Sequence, residues 1–145
     1  MKNTPIHALI FTLLIAGAGI AHARIGETEA QIKARFGDAV QTYSNDAGVW
    51  PKEYRFNDFL ILVSYVKGRS YSEMYKHVDG ASLTDAETEA LLKANSSGGK
   101  WEKKTNSPPF WNITKDDTLI AMASCDEKRI TLTVTQKFNG DMSGF

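Results

Sequence analysis

Phe59–Val66 reads FLILVSYV. It is followed by Lys67-Gly68-Arg69 and then by Ser70–Lys76, SYSEMYK. Eight residues rich in β-branched and aromatic side chains, bounded by a glycine-containing turn, predict a strand and the first arm of an antiparallel hairpin. The run is apolar at both odd and even positions, so the strand is expected to be central and covered on both faces. In the return strand, Tyr71, Glu73 and Tyr75 fall on one face by alternation. A short helix over Ser70–Lys76 is the competing reading.

Working outward, Trp50–Phe56 reads as a strand joined to the first by Asn57-Asp58, and Pro51 places it at an edge or a strand start. Upstream, Thr28–Phe36 predicts a helix. Thr28 and Gln31 form a capping box, Ile32 and Phe36 share a face, and Gly37 closes it. Downstream, Asp85–Ala94 predicts a second helix behind the Thr84/Glu87 capping box. Leu91 and Leu92 carry its buried face, with Thr88 and Asn95 at the margins. Lys100–Lys104 and Phe110–Thr114 are short strands around Pro108-Pro109. Thr118–Cys125 and Arg129–Phe138 form a last hairpin, in which Ile130, Leu132 and Val134 point inward and Thr131, Thr133 and Thr135 outward.

The fold class that follows is α+β: an antiparallel sheet packed by two helices on one face. Each helix opens with T-x-x-[EQ] and precedes a tryptophan and a hairpin, which suggests two tandem helix-plus-hairpin halves near 24–79 and 80–138. Residues 24–138 read as a single domain and 139–145 as a flexible tail.

The N-terminus has the signature of an export signal. Lys2 supplies the positive charge and Ile6–Ile20 the apolar stretch. Ala21-His22-Ala23 is a small-x-small site with cleavage before Arg24. Residues 1–23 are therefore expected to leave, and the mature chain to be periplasmic or secreted with no membrane span. Lys+Arg and Asp+Glu are equal at 17 each in the whole chain. That balance excludes a strongly basic nucleic-acid binder. With 42% apolar and 23% charged residues the chain is globular in composition, not disordered.

The same cleavage removes His7 and His22. His77 is then the one imidazole and Cys125 the one thiol. A zinc site built on His and Cys needs more ligands than these, and no G-x-S-x-G elbow, P-loop or EF-hand loop is present. No cofactor or metal is expected. His77, beside Val78-Asp79-Gly80, reads as a solvated turn residue. Cys125 is either buried on its strand, in phase with Leu119, Ala121 and Ala123, or paired with another chain. Asp116-Asp117 and Asp126-Glu127 are the visible carboxylate pairs, both in predicted turns. Asn95-Ser96-Ser97 and Asn112-Ile113-Thr114 fit the glycosylation sequon.

The positive signal is aromatic. Trp50, Tyr65, Tyr71 and Tyr75, with Arg69 between them, are the candidate contact surface, because Tyr, Trp and Arg dominate binding hot spots. The competing reading places the tyrosines in the layer between sheet and helices, the commoner fate of such residues.

Gly26-Glu27-Thr28 through Phe36-Gly37, with the hairpin over Leu62–Arg69, resembles the small outer-membrane lipoprotein A family. β-Lactamase-inhibitory proteins are similar in build, with tandem helix-plus-antiparallel-strand modules. The resemblance covers about a third of the chain. Glu27 and Ala39 depart from the family's apolar residue and proline, and the lipid-bearing cysteine is missing. What it implies is the architecture and a non-enzymatic binding role in the bacterial envelope or the extracellular space, with an envelope or secreted protein as partner. The alternatives are a small carboxylate-dependent hydrolase acting on cell-wall or glycan material, which would need two carboxylates in one cleft, and a purely structural envelope component.

Overall fold

The computed structural model describes residues 25–44, 51–96, 98–106, 109–113, 119–126 and 129–136. Two helices and eight strands follow in the order α1 (Glu29–Phe36), β1 (Gln41–Thr42), β2 (Lys52–Phe56), β3 (Phe59–Val66), β4 (Arg69–His77), α2 (Asp85–Ala94), β5 (Trp101–Asn106), β6 (Pro109–Ile113), β7 (Leu119–Asp126) and β8 (Arg129–Gln136). The fold is α+β, with one antiparallel sheet in the order β1-β2-β3-β4-β8-β7-β6-β5.

Both helices start as their capping boxes require. Gln31 N–H donates to Thr28 Oγ1 while Thr28 N–H donates to the Gln31 side chain, and Thr84 and Glu87 repeat the exchange. Each cap is worth about 1 kcal/mol. Gly37 ends α1 at φ 85°, a value that favours glycine, and donates its N–H to Lys33 O. Lys67 and Gly68 make the two-residue β3–β4 turn, both with positive φ.

Register defines the core face. Tyr54, Ile61, Tyr75, Leu132 and Ala123 oppose one another across five strands, and Val63, Glu73, Val134 and Ala121 form the next row. All nine are buried. Ile32 and Phe36 of α1 and Leu91 and Leu92 of α2 join this cluster. Phe36 meets Tyr54 and Phe56 at ring separations of 6.2 and 5.5 Å.

Several expectations are corrected. β3 is covered on one face only: Ile61, Val63 and Tyr65 are buried, whereas Leu60, Leu62, Ser64 and Val66 are half-buried. Their cover comes from cross-strand neighbours such as Met74 opposite Leu62, and from the Lys76–Glu53 pair at 3.5 Å. β2 is not an edge, because β1, absent from the sequence reading, pairs with it. Pro51 lies just before β2, and its carbonyl accepts from Tyr43 N–H.

The alternation over Ser70–Lys76 also breaks. Ser70 opposes Tyr65 and Ser72 opposes Ser64, so Tyr71 is the extra residue of a β-bulge. Ser70, not Tyr71, takes the buried position. Its hydroxyl accepts from the N–H groups of Gly26 and Glu27, anchoring the chain that leads into α1.

Candidate functional site

Two of the candidate contact residues are not at the surface. Tyr65 and Tyr75 are only 5% and 1% exposed, so both belong to the core. Burial is tolerable because their hydroxyls have partners inside. Tyr65 and Tyr54 share a hydrogen bond of 2.9 Å, and Tyr75 donates to Glu73 Oε2 at 2.5 Å. Burial pushes the phenols of Tyr54, Tyr65 and Tyr75 above the ordinary tyrosine value. Tyr71 is half-buried at its bulge. Arg69 is exposed, but its guanidinium donates to Gly26 O at 2.9 Å and so secures the lead into α1. Trp50, Asp116-Asp117 and Glu127 lie outside the described residues, as do residues 1–23 and 139–145. Cys125 lies opposite Ile130 in β7; its side chain is also outside the described set.

Beneath the tyrosines lies a buried polar cluster that the sequence reading did not anticipate. Glu73 stands between Val63 and Val134 in its register row and has no exposed surface. Burial raises its pKa to about 7, against the opposing effects of the Tyr75 hydroxyl and the Arg35 charge, while Glu27 adds a further upward push. Asn95 donates to Tyr75 Oη at 3.2 Å and to Leu91 O at 3.0 Å. Arg35 pairs with Glu27, the residue that stands where the lipoprotein-like pattern has an apolar one. Glu73 Oε1, Asn95 Oδ1, and Nε and Nη1 of Arg35 are buried without a hydrogen-bond partner. Asn95 is 1% exposed, so its sequon is closed in the folded state.

His77 is not a solvated turn residue. Its ring stacks on Phe59 at 4.8 Å, and Nε2 lies 3.1 Å from the Glu87 carboxylate. It ties the end of β4 to the first turn of α2. Glu87 is lowered in pKa: burial pushes it up, but hydrogen bonds from Thr84 and the His77 contact outweigh that.

Among the described residues, a groove lies open between α2 and strands β5 to β7. One compartment, of about 350 Å³, is lined by Glu89, Leu92, Lys93, Lys100, Trp101 and Trp111, among others. A second, of about 280 Å³, runs past Leu83, Asp85, Thr88 and Ala123. Glu89, Leu92, Lys103 and Trp111 line both. Trp101 Nε1–H donates to Leu92 O at 2.6 Å, which fixes its ring against α2. Lys103 opposes Trp111 in register, and its Nζ lies 5.7 Å from the indole centroid, within cation–π range. The volume is that of a small-ligand or side-chain site.

From sequence, Trp101 is a strand residue and the tryptophan that follows the second helix, and neither reading marks a groove. The available signal was Trp101-x-Lys103 in alternation, followed by Trp111. Its significance depends on a β5–β6 register that sequence does not display.

No protein-family model and no curated protein matches the chain. Among solved structures, a cysteine-rich secretory protein from Staphylococcus aureus subsp. aureus Mu50 is similar, with a TM-score of 0.48 and 13% identity. The alignment covers 78% of this chain and 44% of that one, so the chain spans less than half the length of that protein.

Proposed function

We propose that this chain is an exported, non-catalytic binding protein of the bacterial envelope or the extracellular space, and that its partner seats in the Trp101–Trp111 groove. The observation that carries this reading is the groove: two half-exposed indoles beside Leu92, with lysines on its rim and Glu89 opposite. Aromatic contact area bordered by charge is the usual make-up of a binding hot spot. The leader over residues 1–23 supports export. Asp85 and Glu89 both line one compartment of the groove, which keeps the carboxylate hydrolase as the second reading; binding is favoured because indoles and lysines make up most of the other compartment and Glu73, buried in the core, lines neither.

We extend the proposal to architecture: two helices on one face of the sheet, and tandem halves, each a helix followed by four strands. The strand order supports it, since β4 and β8, the last strand of each half, meet side by side at the sheet centre.

The test uses the protein exported from its own gene. N-terminal sequencing should begin at Arg24. Indole emission should change saturably with a muropeptide, a chitooligosaccharide or an extended peptide, without product by mass spectrometry, and Trp111→Ala should remove the response. Cleavage of any of these compounds would replace the reading with the hydrolase.

A further inference from the structure

We propose that the groove's occupant is an extended acidic peptide strand of a partner protein, added to the outer edge of β5; this rests on the groove being the partner site. β5 ends the strand order, and among the described residues β6 is the one strand that pairs with it. The edge from Trp101 to Lys104 therefore presents backbone donors and acceptors on the side away from β6, the geometry that strand addition uses. The register shift between Lys103 and Thr105 confines the regular edge to the Trp101 end, next to the groove.

Alternation along β5 sorts the side chains. Trp101 and Lys103 line the groove, whereas Glu102 and Lys104 pair with each other at 2.5 Å. A strand laid beside β5 follows the same alternation at a spacing of about 4.8 Å. Every second side chain of the guest then lies beside Trp101, Lys103 and the hollow between them and α2.

The lining defines what those side chains are. Trp101, Trp111 and Leu92 form an apolar seat for one aromatic or aliphatic anchor. Trp101 Nε1–H is already committed to Leu92 O, so this indole offers ring surface and no donor, which suits an apolar side chain better than a hydroxyl-rich sugar. Lys93 and Lys103 outnumber Glu89 around the same hollow, so the guest's next groove-side residue is acidic.

The probe is a capped hexapeptide alternating threonine with aspartate and phenylalanine, titrated into the full exported protein and followed by amide and indole NMR. Two further probes carry N-methyl groups on one or the other alternate set of amides, and chitohexaose serves as a neutral glycan. The expected result is saturable binding, slowed exchange of alternate amides in residues 101–104, and shifted indole signals of Trp101 and Trp111. One N-methylated version should bind at least about tenfold more weakly, because it loses several backbone hydrogen bonds. Lys103→Glu should weaken binding several-fold, as should added salt. Equal binding by both N-methylated peptides overturns strand addition and leaves the groove as a site. Binding of chitohexaose but not of the peptide does the same. Binding that survives both Trp111→Ala and Lys103→Glu overturns the groove as well.

Discussion

Two aromatic clusters in this molecule have nearly the same ingredients and opposite fates. Tyr54, Tyr65 and Tyr75 stand with Glu73 and Arg35 in the middle of the fold; Trp101 and Trp111 stand with Glu89 and Lys103 toward the β5 end of the sheet. The tyrosines sit on β2, β3 and β4, with α1 and α2 side chains in the same buried cluster, and their hydroxyls are satisfied inside it. The tryptophans keep ring surface half-open beside the groove. Position in the strand order does not separate the two clusters, because Tyr54 on β2 and Trp111 on β6 are each one strand in from an end of the sheet. The cover over the face does: side chains of α1 and α2 join the tyrosines in one buried cluster, whereas the hollow between α2 and β5 to β7 leaves the indoles half-open.

The largest expected effect tests that contrast directly. Tyr75→Ala should cost about 4 kcal/mol, because it opens a cavity at a site 1% exposed and strips Glu73 and Asn95 of a partner. Trp111→Ala, at a half-exposed site, should cost about 2 kcal/mol or less. Urea unfolding of both variants decides it. A Trp111 cost equal to or above that of Tyr75 would mean that the groove is core and not a site.

Next in size is the pH dependence that only the buried cluster should show. Glu73 has a pKa of about 7 in the folded state against an ordinary 4.5, so the folded protein binds the proton more tightly than the unfolded chain. Its contribution is fully present below about pH 4.5 and is lost as pH rises through 7, a decline of about 3 kcal/mol. The charges that bear on it are Arg35 and Glu27 of the α1 region, with the Tyr75 hydroxyl on its own strand. Glu73→Gln should flatten stability between pH 5 and 8 and leave the variant more stable than the parent at pH 8. A stability difference between parent and variant that stays constant across that interval would show Glu73 to be ionised in the core.

Much of this was open to sequence, and the rest was hidden for identifiable reasons. Capping boxes and turns are local chemistry, so α1, α2 and the β3–β4 hairpin could be read from Thr28, Thr84 and Gly68. The core face of β8 followed from the period of Leu132 and Val134. The bulge at Tyr71 could not be read, because one inserted residue moves every side chain on one side of it to the other face, and nothing in SYSEMYK marks the slip. The same slip concealed that Ser70, in place of Tyr71, faces inward on the side of Glu73 and Tyr75. The pairing of β4 with β8 is non-local, and with it went any means of knowing that Glu73 lies against Val134. The aromatic signal was therefore attached to the strands most strongly predicted, and those are the strands whose rings are buried.

The smallest expected effects concern the cations of the two clusters. Arg35 is largely covered and has two buried nitrogens without hydrogen-bond partners, and among the described residues it is the cation that pairs with Glu27. Arg35→Met should therefore cost about 1–2 kcal/mol, leaving Glu27 partly buried and unpaired. It should also shift the pH-dependent loss of stability upward, because Glu73 loses the charge that favours its ionised form. Lys103 is exposed, and its contact with Trp111 at 5.7 Å is worth about 0.5 kcal/mol at such a site. Lys103→Glu should move stability by no more than about that amount. The comparison is sharpest in the pH response: Arg35→Met moves the upper end of the stability decline above 7, whereas Lys103→Glu leaves it in place. If Lys103→Glu moved that upper end too, the groove and the core cluster would be one electrostatic unit, and the separation drawn between them would fail.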